Sequence, residues 1–282
     1  MAVLWSPSAM RAAPLPNDEK GRHGTNPWSS HQWCAYFRAN REALLKLPWE
    51  RGAELTESER ETIACSLQDF QLGESSEGHH LLERARRYAA RTGDQAYAEA
   101  IELFIREEQR HAGDLGRFLQ LAGIPLATGT WLDSLFRRLR RLAGLGLCLC
   151  VLLTAETIGM VYYLALRRST GSALLRRLCE QLLRDEVRHL CFHAERLALM
   201  RQHRPRWRNW WSHTWQRMLL TGTCLIVWLK HRKVLRAGGL GFFAFWRRSR
   251  REFARVQACM KPARYALVTP AALKLPELHA IQ

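Results

Sequence analysis

The chain is 282 residues long and 47% hydrophobic, with 43 Lys/Arg against 26 Asp/Glu and a formal charge of +17. That length and apolar share give one good core with appendages and rule out a mostly disordered chain. The charge calls for an acidic partner, and it is lopsided: residues 201–282 hold 17 Lys/Arg and 2 Asp/Glu, while the remainder is nearly neutral.

Pro, Gly and Asn crowd residues 1–27, which are expected to be poorly ordered. Residues 28–47 form a short helix stopped by Pro48, so residues 1–55 make an N-terminal segment ahead of the main fold. No positive start followed by an apolar stretch marks residues 1–21 as a secretory signal. Thr56 with Glu59 three later is a capping box, and it opens a long helix running to about Arg91. On that helix Ile63, Leu67, Phe70, Glu74, Glu77 and Leu81 share one stripe, so two carboxylates interrupt an apolar face. Gly93 ends it, Asp94 caps a second helix, and Gly123-Ile124-Pro125 stops that one after about Ala122.

A basic amphipathic stretch, residues 134–142, leads to a third helix, roughly 145–168. Its apolar run is broken by Glu156 after about 14 residues, short of the roughly 20 that a membrane span needs, so it is predicted to be a buried core helix. Residues 169–172 turn the chain into a fourth helix ending near Arg201. The pattern predicts two antiparallel hairpins joined by a long crossover over residues 56–202, an all-α four-helix bundle, followed by a basic, Trp-rich helical appendage and tail over 203–282. Eight cysteines without a C-x-x-C pair sit mostly in apolar helical runs. They read as small core residues in a reducing compartment and exclude a rubredoxin-type centre and a disulfide framework.

One pattern occurs twice on these helices, as Glu107-Glu108-Gln109-Arg110-His111 and Asp185-Glu186-Val187-Arg188-His189. Each copy places a Glu and a His three apart, on one helical face, where both reach the same metal ion. A Glu-x-x-His pair from each of two helices, with one inward Glu from each of two others, is how bundles build dinuclear iron or manganese sites. Glu74 and Glu156 supply the inward carboxylates. An isolated carboxylate such as Glu156 in an apolar helix is very costly unless paired, protonated or metal-bound. The axial registers also agree: Glu74 lies 17 residues before Arg91, and Glu108 and His111 lie 14 and 17 after Asp94, all about 21 to 25 Å from the turn.

The predicted metal ligands are therefore Glu74, Glu108, His111, Glu156, Glu186 and His189, with Glu108 and Glu186 bridging. Glu107 and Asp185 are placed to accept the free N–H of the opposite half's histidine, which fixes its tautomer. Arg110 and Arg188 are expected to pair with those carboxylates. A third pair, Glu77-Gly78-His79-His80, lacks the flanking acid and Arg and reads as fortuitous, although Glu77 shares the face of Glu74 and rivals it as a ligand. His193, one turn beyond His189, is a seventh ligand, an outer partner of the ligands, or a surface histidine.

By these residues the chain resembles the ferritin-like superfamily over about residues 56–200. Gly73-Glu74-Ser75 is similar to the rubrerythrin spelling, and the two five-residue pairs resemble those of soluble acyl-carrier-protein desaturases and related di-iron oxidases and N-oxygenases. The resemblance implies two Fe ions, or a Mn/Fe pair, reacting with dioxygen or peroxide. It also implies an oxidase or oxygenase of an organic substrate, acyl or lipid-like. A rubrerythrin-type peroxidase or ferroxidase, a tRNA-modifying hydroxylase, and a non-catalytic membrane-surface bundle that keeps metal for stability remain as alternatives, because one bundle serves many chemistries. No electron-transfer domain is visible, so an external electron donor is expected.

Residues 205–260 mix Arg and Lys with eight further Trp and Phe positions beyond Trp207 and Trp210. Three readings compete: helices packed on the bundle with a solvated basic face, a docking surface for an anionic membrane or an acidic carrier protein, and RNA binding. The expected setting is cytoplasmic, peripheral at the membrane where the second reading holds, with a homodimer as a further expectation.

Overall fold

A computed structural model describes residues 27–75, 78–129, 144–202 and 204–260, and these are helical with no strand among them. The predicted basic stretch at 134–142 and the alternative ligand Glu77 lie outside the described residues. In chain order the helices are α1 (Ser30–Glu42), α2 (Glu57–Glu74), α3 (His79–Thr92), α4 (Gln95–Leu121), α5 (Leu145–Arg168), α6 (Ala173–Arg201), α7 (Arg206–Ala237) and α8 (Phe242–Cys259).

The long first bundle helix expected over 56–91 is two helices. The Thr56–Glu59 capping box opens α2 as predicted, but the helix ends at Glu74, and the chain restarts at Gly78 with φ +66° as the residue before α3. Position 78 has no room for a side chain: a Cβ at Gly78 would meet the Ile105 side chain of α4 at 2.6 Å. Only glycine takes that left-handed turn against α4 without strain. Both α2 and α3 still pack along α4, so the break leaves the antiparallel pairing intact.

Helices α5 and α6 form the other hairpin, and α4 meets α6 across the bundle. By length and composition α5 could cross a membrane, yet 78% of its most apolar stretch is buried in the protein, under α6, α7, α8 and α3. It is the central helix, which explains an apolar sequence on all sides.

The short N-terminal helix is integrated rather than peripheral. Ser29 and Gln32 form a capping box at its start. Trp33, Tyr36 and Phe37 are buried, with Trp33 and Phe37 packed 5.2 and 5.3 Å from the Phe192 ring of α6. Three aromatic side chains on one face outweigh the loop-like composition around them, since each buries on the order of 150–250 Å².

Helix α7 returns over α5 and α2 and ends at Gly238, where a Cβ would stand 2.4 Å from the Ala165 carbonyl oxygen of α5. Backbone cannot yield as a side chain can. Gly238→Ala is therefore expected to cost about 1–3 kcal/mol through overpacking, read as a thermal midpoint lower by about 2–4 °C per kcal/mol. An unchanged midpoint would mean α7 does not press on α5 there.

Candidate metal centre

The break after α2 puts Glu74 at a helix end, facing α4 and α6. Ligand atoms of Glu74, Glu108, His111 and Glu186 all lie within 4.8 Å of one another. His189 joins from α6, its Nδ1 3.0 Å from Glu108 Oε1 and 3.9 Å from Glu186 Oε2. His111 Nδ1 stands 3.5 Å from the same Glu108 oxygen, so Glu108 is nearer than Glu186 to the Nδ1 atoms of both imidazoles. Glu156 is not part of the tightest group of four. Its Oε1 lies 3.5 Å from His193 Nε2, one helical turn along α6.

The far nitrogens of both histidines are engaged crosswise. His111 Nε2 on α4 meets Asp185 Oδ2 of α6 at 3.0 Å, and His189 Nε2 on α6 meets Glu107 Oε2 of α4 at 3.0 Å. Each carboxylate thus accepts from the imidazole of the opposite half. That leaves the Nδ1 lone pairs facing the cluster, the tautomer a metal ligand needs. Arg110 closes the network with Asp185 at 2.7 Å and Glu107 at 3.2 Å. The Arg188 guanidinium lies over the Tyr36 and Trp28 rings, 5.4 and 5.8 Å from their centroids. The two arginines occupy matching sequence positions, and Tyr36 of α1 with Trp28 just ahead of it brings aromatic rings to Arg188.

Three residues not expected from the sequence complete the surroundings. Asn40 of α1 is fully buried, and its Nδ2 donates to Asp185 Oδ1 at 2.9 Å and also to Glu107 Oε1. One amide therefore ties together the two carboxylates that orient the histidines. Gln181 Nε2 donates to both oxygens of Asp185, at 2.9 and 2.8 Å. The Tyr163 hydroxyl donates to Glu74 Oε1 at 2.5 Å. A usable signal existed for Asn40: it sits at the i+7 position from Trp33, on an otherwise apolar face. Asn40→Leu is expected to keep the fold and to weaken metal affinity about 10–100-fold, measured by competition with a chelator of known affinity. Wild-type affinity in that variant would remove the tie from the site.

Electrostatics describe a site short of positive charge. Burial, helped by the nearby Glu108 charge, pushes Glu74 up to about 8. Burial likewise raises Glu156 to about 8 and Glu186 well above the carboxylate range. For Glu108 burial acts in the same direction, but the two imidazoles outweigh it and hold the carboxyl well below its usual value. His111 goes up to about 10, because its hydrogen bond to Asp185 and the nearby Glu108 charge overcome burial, and His189 rises well above its usual value through Glu107 and Glu108. His193 is pushed down to about 3, chiefly by burial and then by His189.

Several buried atoms here have no hydrogen-bond partner: Nδ1 of His111 and of His189, Oε1 of Glu108, Oε2 of Glu186, both oxygens of Glu156 and both nitrogens of His193. Buried polar groups are partnered in the large majority of cases, and an orphaned one costs about 1–3 kcal/mol. A cluster of them at one place fits metal cations as the missing partner. Four carboxylates and neutral imidazoles match two divalent ions in charge, and the mixed oxygen and nitrogen donors suit iron or manganese. No family model matches the chain, and no curated protein and no solved structure matches it either.

Proposed function

We propose that this chain is a ferritin-like di-iron protein, an oxidoreductase that uses dioxygen to oxidise an organic substrate. The observation that carries the reading is the set of orphaned oxygens and nitrogens on Glu108, Glu156, Glu186, His111 and His189, buried between α4, α5 and α6. Glu74, Glu108, His111 and Glu186 would hold one ion, and His189, Glu156 and the shared Glu108 and Glu186 the other. When bound, such an iron pair supplies two electrons to dioxygen or peroxide.

The chain's own residues set the conditions for that chemistry. Glu107 and Asp185 hold the Nε2 protons of the two histidines away from the centre. Phe104 packs edge-on to His189 and His193, with centroids at 4.8 and 4.5 Å, and excludes water from that side. The Tyr163 hydroxyl orients Glu74. Glu74 is half-buried at the broken end of α2, beside the exposed Gly73, where a Cβ would meet nothing within 4 Å. That end is the open approach for a substrate, whereas the α1 side is closed by aromatic rings. His193, fully buried with both nitrogens unpartnered beside Glu156, stands as a third imidazole for the second ion rather than as a surface histidine. The reductant is an external donor.

The test is anaerobic loading of the purified chain with ferrous iron, elemental analysis, and stopped-flow mixing with dioxygen or hydrogen peroxide. Two irons per chain and faster consumption of dioxygen are expected. Faster consumption of peroxide would replace the oxidase with a rubrerythrin-type peroxidase, and less than one iron or manganese per chain would remove the metal reading altogether.

A further inference from the structure

Helix α7 is apolar on two opposite faces, and the bundle uses only one. Its inner face, with Leu220, Cys224, Val227 and Trp228, is buried on α5, α2 and α8. Seven of the twelve exposed large hydrophobics among the described residues lie on the same helix. Trp207, Trp211, Met218, Leu225 and Leu229 fall within about 40° of one another at about 100° per residue, on the side away from the core. Trp207 is 63% exposed, Met218 69% and Leu229 58%. Monomeric proteins rarely present a continuous apolar row of this kind without a partner for it. At about 1.5 Å per residue the stripe runs about 33 Å along the helix.

Charge says what covers it. Residues 204–260 contain thirteen Lys/Arg and a single acid, Glu252, which is buried. Arg206, Arg208, Arg232, Lys233 and Arg236 are exposed around the stripe. A second copy docked through the same stripe would set these cations against their own images with no exposed acid in the segment to offset them. RNA would satisfy the arginines and stack on tryptophan, but it offers nothing to Met218, Leu225 and Leu229. A bilayer with anionic headgroups satisfies both halves: aliphatic side chains enter the acyl boundary, indole rings sit at the interface, and cations reach the phosphates. Beside the stripe, Met218, Phe253 and Trp246 line a groove of about 490 Å³ between α7 and α8, with Arg217 and Arg250 also in its lining. That is an apolar trough with guanidinium groups at hand, the chemistry of a phospholipid.

We propose that α7 lies flat on an anionic lipid surface and docks the protein there through its outward Trp, Met and Leu stripe. The proposal is independent of the metal centre, since none of these residues reaches it.

The experiment is flotation of the full chain with phosphatidylcholine vesicles, with and without about a third of phosphatidylglycerol. Tryptophan emission is followed in parallel. Flotation with the anionic vesicles only, a blue shift on binding, and weakening by salt are expected. The triple variant Trp207→Ser, Trp211→Ser, Met218→Ser should lose binding on the order of tenfold or more, with unchanged helical circular dichroism because all three side chains are exposed. The proposal is overturned if anionic vesicles bring nothing up or if the triple variant floats as well as the parent. It also fails if the parent is a dimer that the variant dissolves, or if RNA binding is what the variant loses. Equal iodide quenching of the two proteins before lipid is added would overturn it too, because the stripe would then be covered by the chain itself.

Discussion

Glu108→Ala should leave the protein with less than one iron per chain where the parent is expected to hold two. Glu108 approaches the Nδ1 atoms of both imidazoles, 3.5 Å from that of His111 and 3.0 Å from that of His189. Its loss removes a donor from both ion positions together, whereas loss of Glu74 or Glu156 removes a donor from one. Stability reports the same event. A ligand present at a hundredfold excess over its dissociation constant stabilises the folded state by about 2.7 kcal/mol, which is a rise of about 5–10 °C in thermal midpoint for a chain of this size. The parent should show that rise on loading with iron, and Glu108→Ala should not. Glu102→Ala is the control, on the same helix: Glu102 pairs with Arg106 at 2.7 Å on the exposed face, a contact worth about 0–1 kcal/mol. If Glu108→Ala retains two irons, the centre is not where these residues meet.

The sequence carried much of this arrangement because its signals are local. Capping at Thr56, the turn at Gly93 and the apolar periodicity of α4, α5 and α6 depend on neighbours within a turn or two. They predicted an all-helical chain, with one helix over 56–91 where the structure has two. The register reckoning placed Glu74 level with His111, and the structure brings the two into one cluster even though the helix between them is broken. What could not be read is long-range. Ile105, 27 residues further on, leaves no room for a side chain at Gly78, just before α3. Asn40 acts on Glu107 and Asp185, which lie 67 and 145 residues away. Periodicity marks Asn40 only as a polar residue in an apolar stripe, the same mark that singled out Glu74 and Glu156. Arg188 lies under the Tyr36 and Trp28 rings, a contact that sequence symmetry between the two pairs does not show. Of the three readings left open for His193, the surface one falls, because Phe104 and Phe192 enclose it at 4.5 and 5.0 Å.

Loss of metal should also give the protein a pH dependence that loading removes. Glu74 and Glu156 have ordinary values of 4.5 and stand near 8 in the folded state, raised first by burial. A carboxyl raised in this way contributes stability that is complete below 4.5 and is lost as pH climbs through 8. His111, ordinarily 6.5 and held near 10 by Asp185 and Glu108 against burial, acts in the same sense, losing its contribution as pH rises through 10. The opposing groups act at lower pH: Glu108 lies well below its ordinary value, so its contribution is lost only when pH falls below about 4.5, and His193 and His231, ordinarily 6.5 and pushed down to about 3 and about 4 chiefly by burial, raise stability with pH only up to 6.5. Between about pH 7 and 9 the metal-free protein should therefore become steadily less stable, by about 1.4 kcal/mol per pH unit for each proton at stake. Metal ions take the place of those protons on the same oxygens, so loading should flatten the slope and release protons into the buffer. Thermal melts of chelator-treated and reloaded protein across that range read the slope, and calorimetric loading in two buffers of different ionisation enthalpy counts the protons. A metal-free protein that grows more stable toward pH 9 would show that the four carboxylates do not share one buried, cation-poor space, and the charge argument for two divalent ions would go with it.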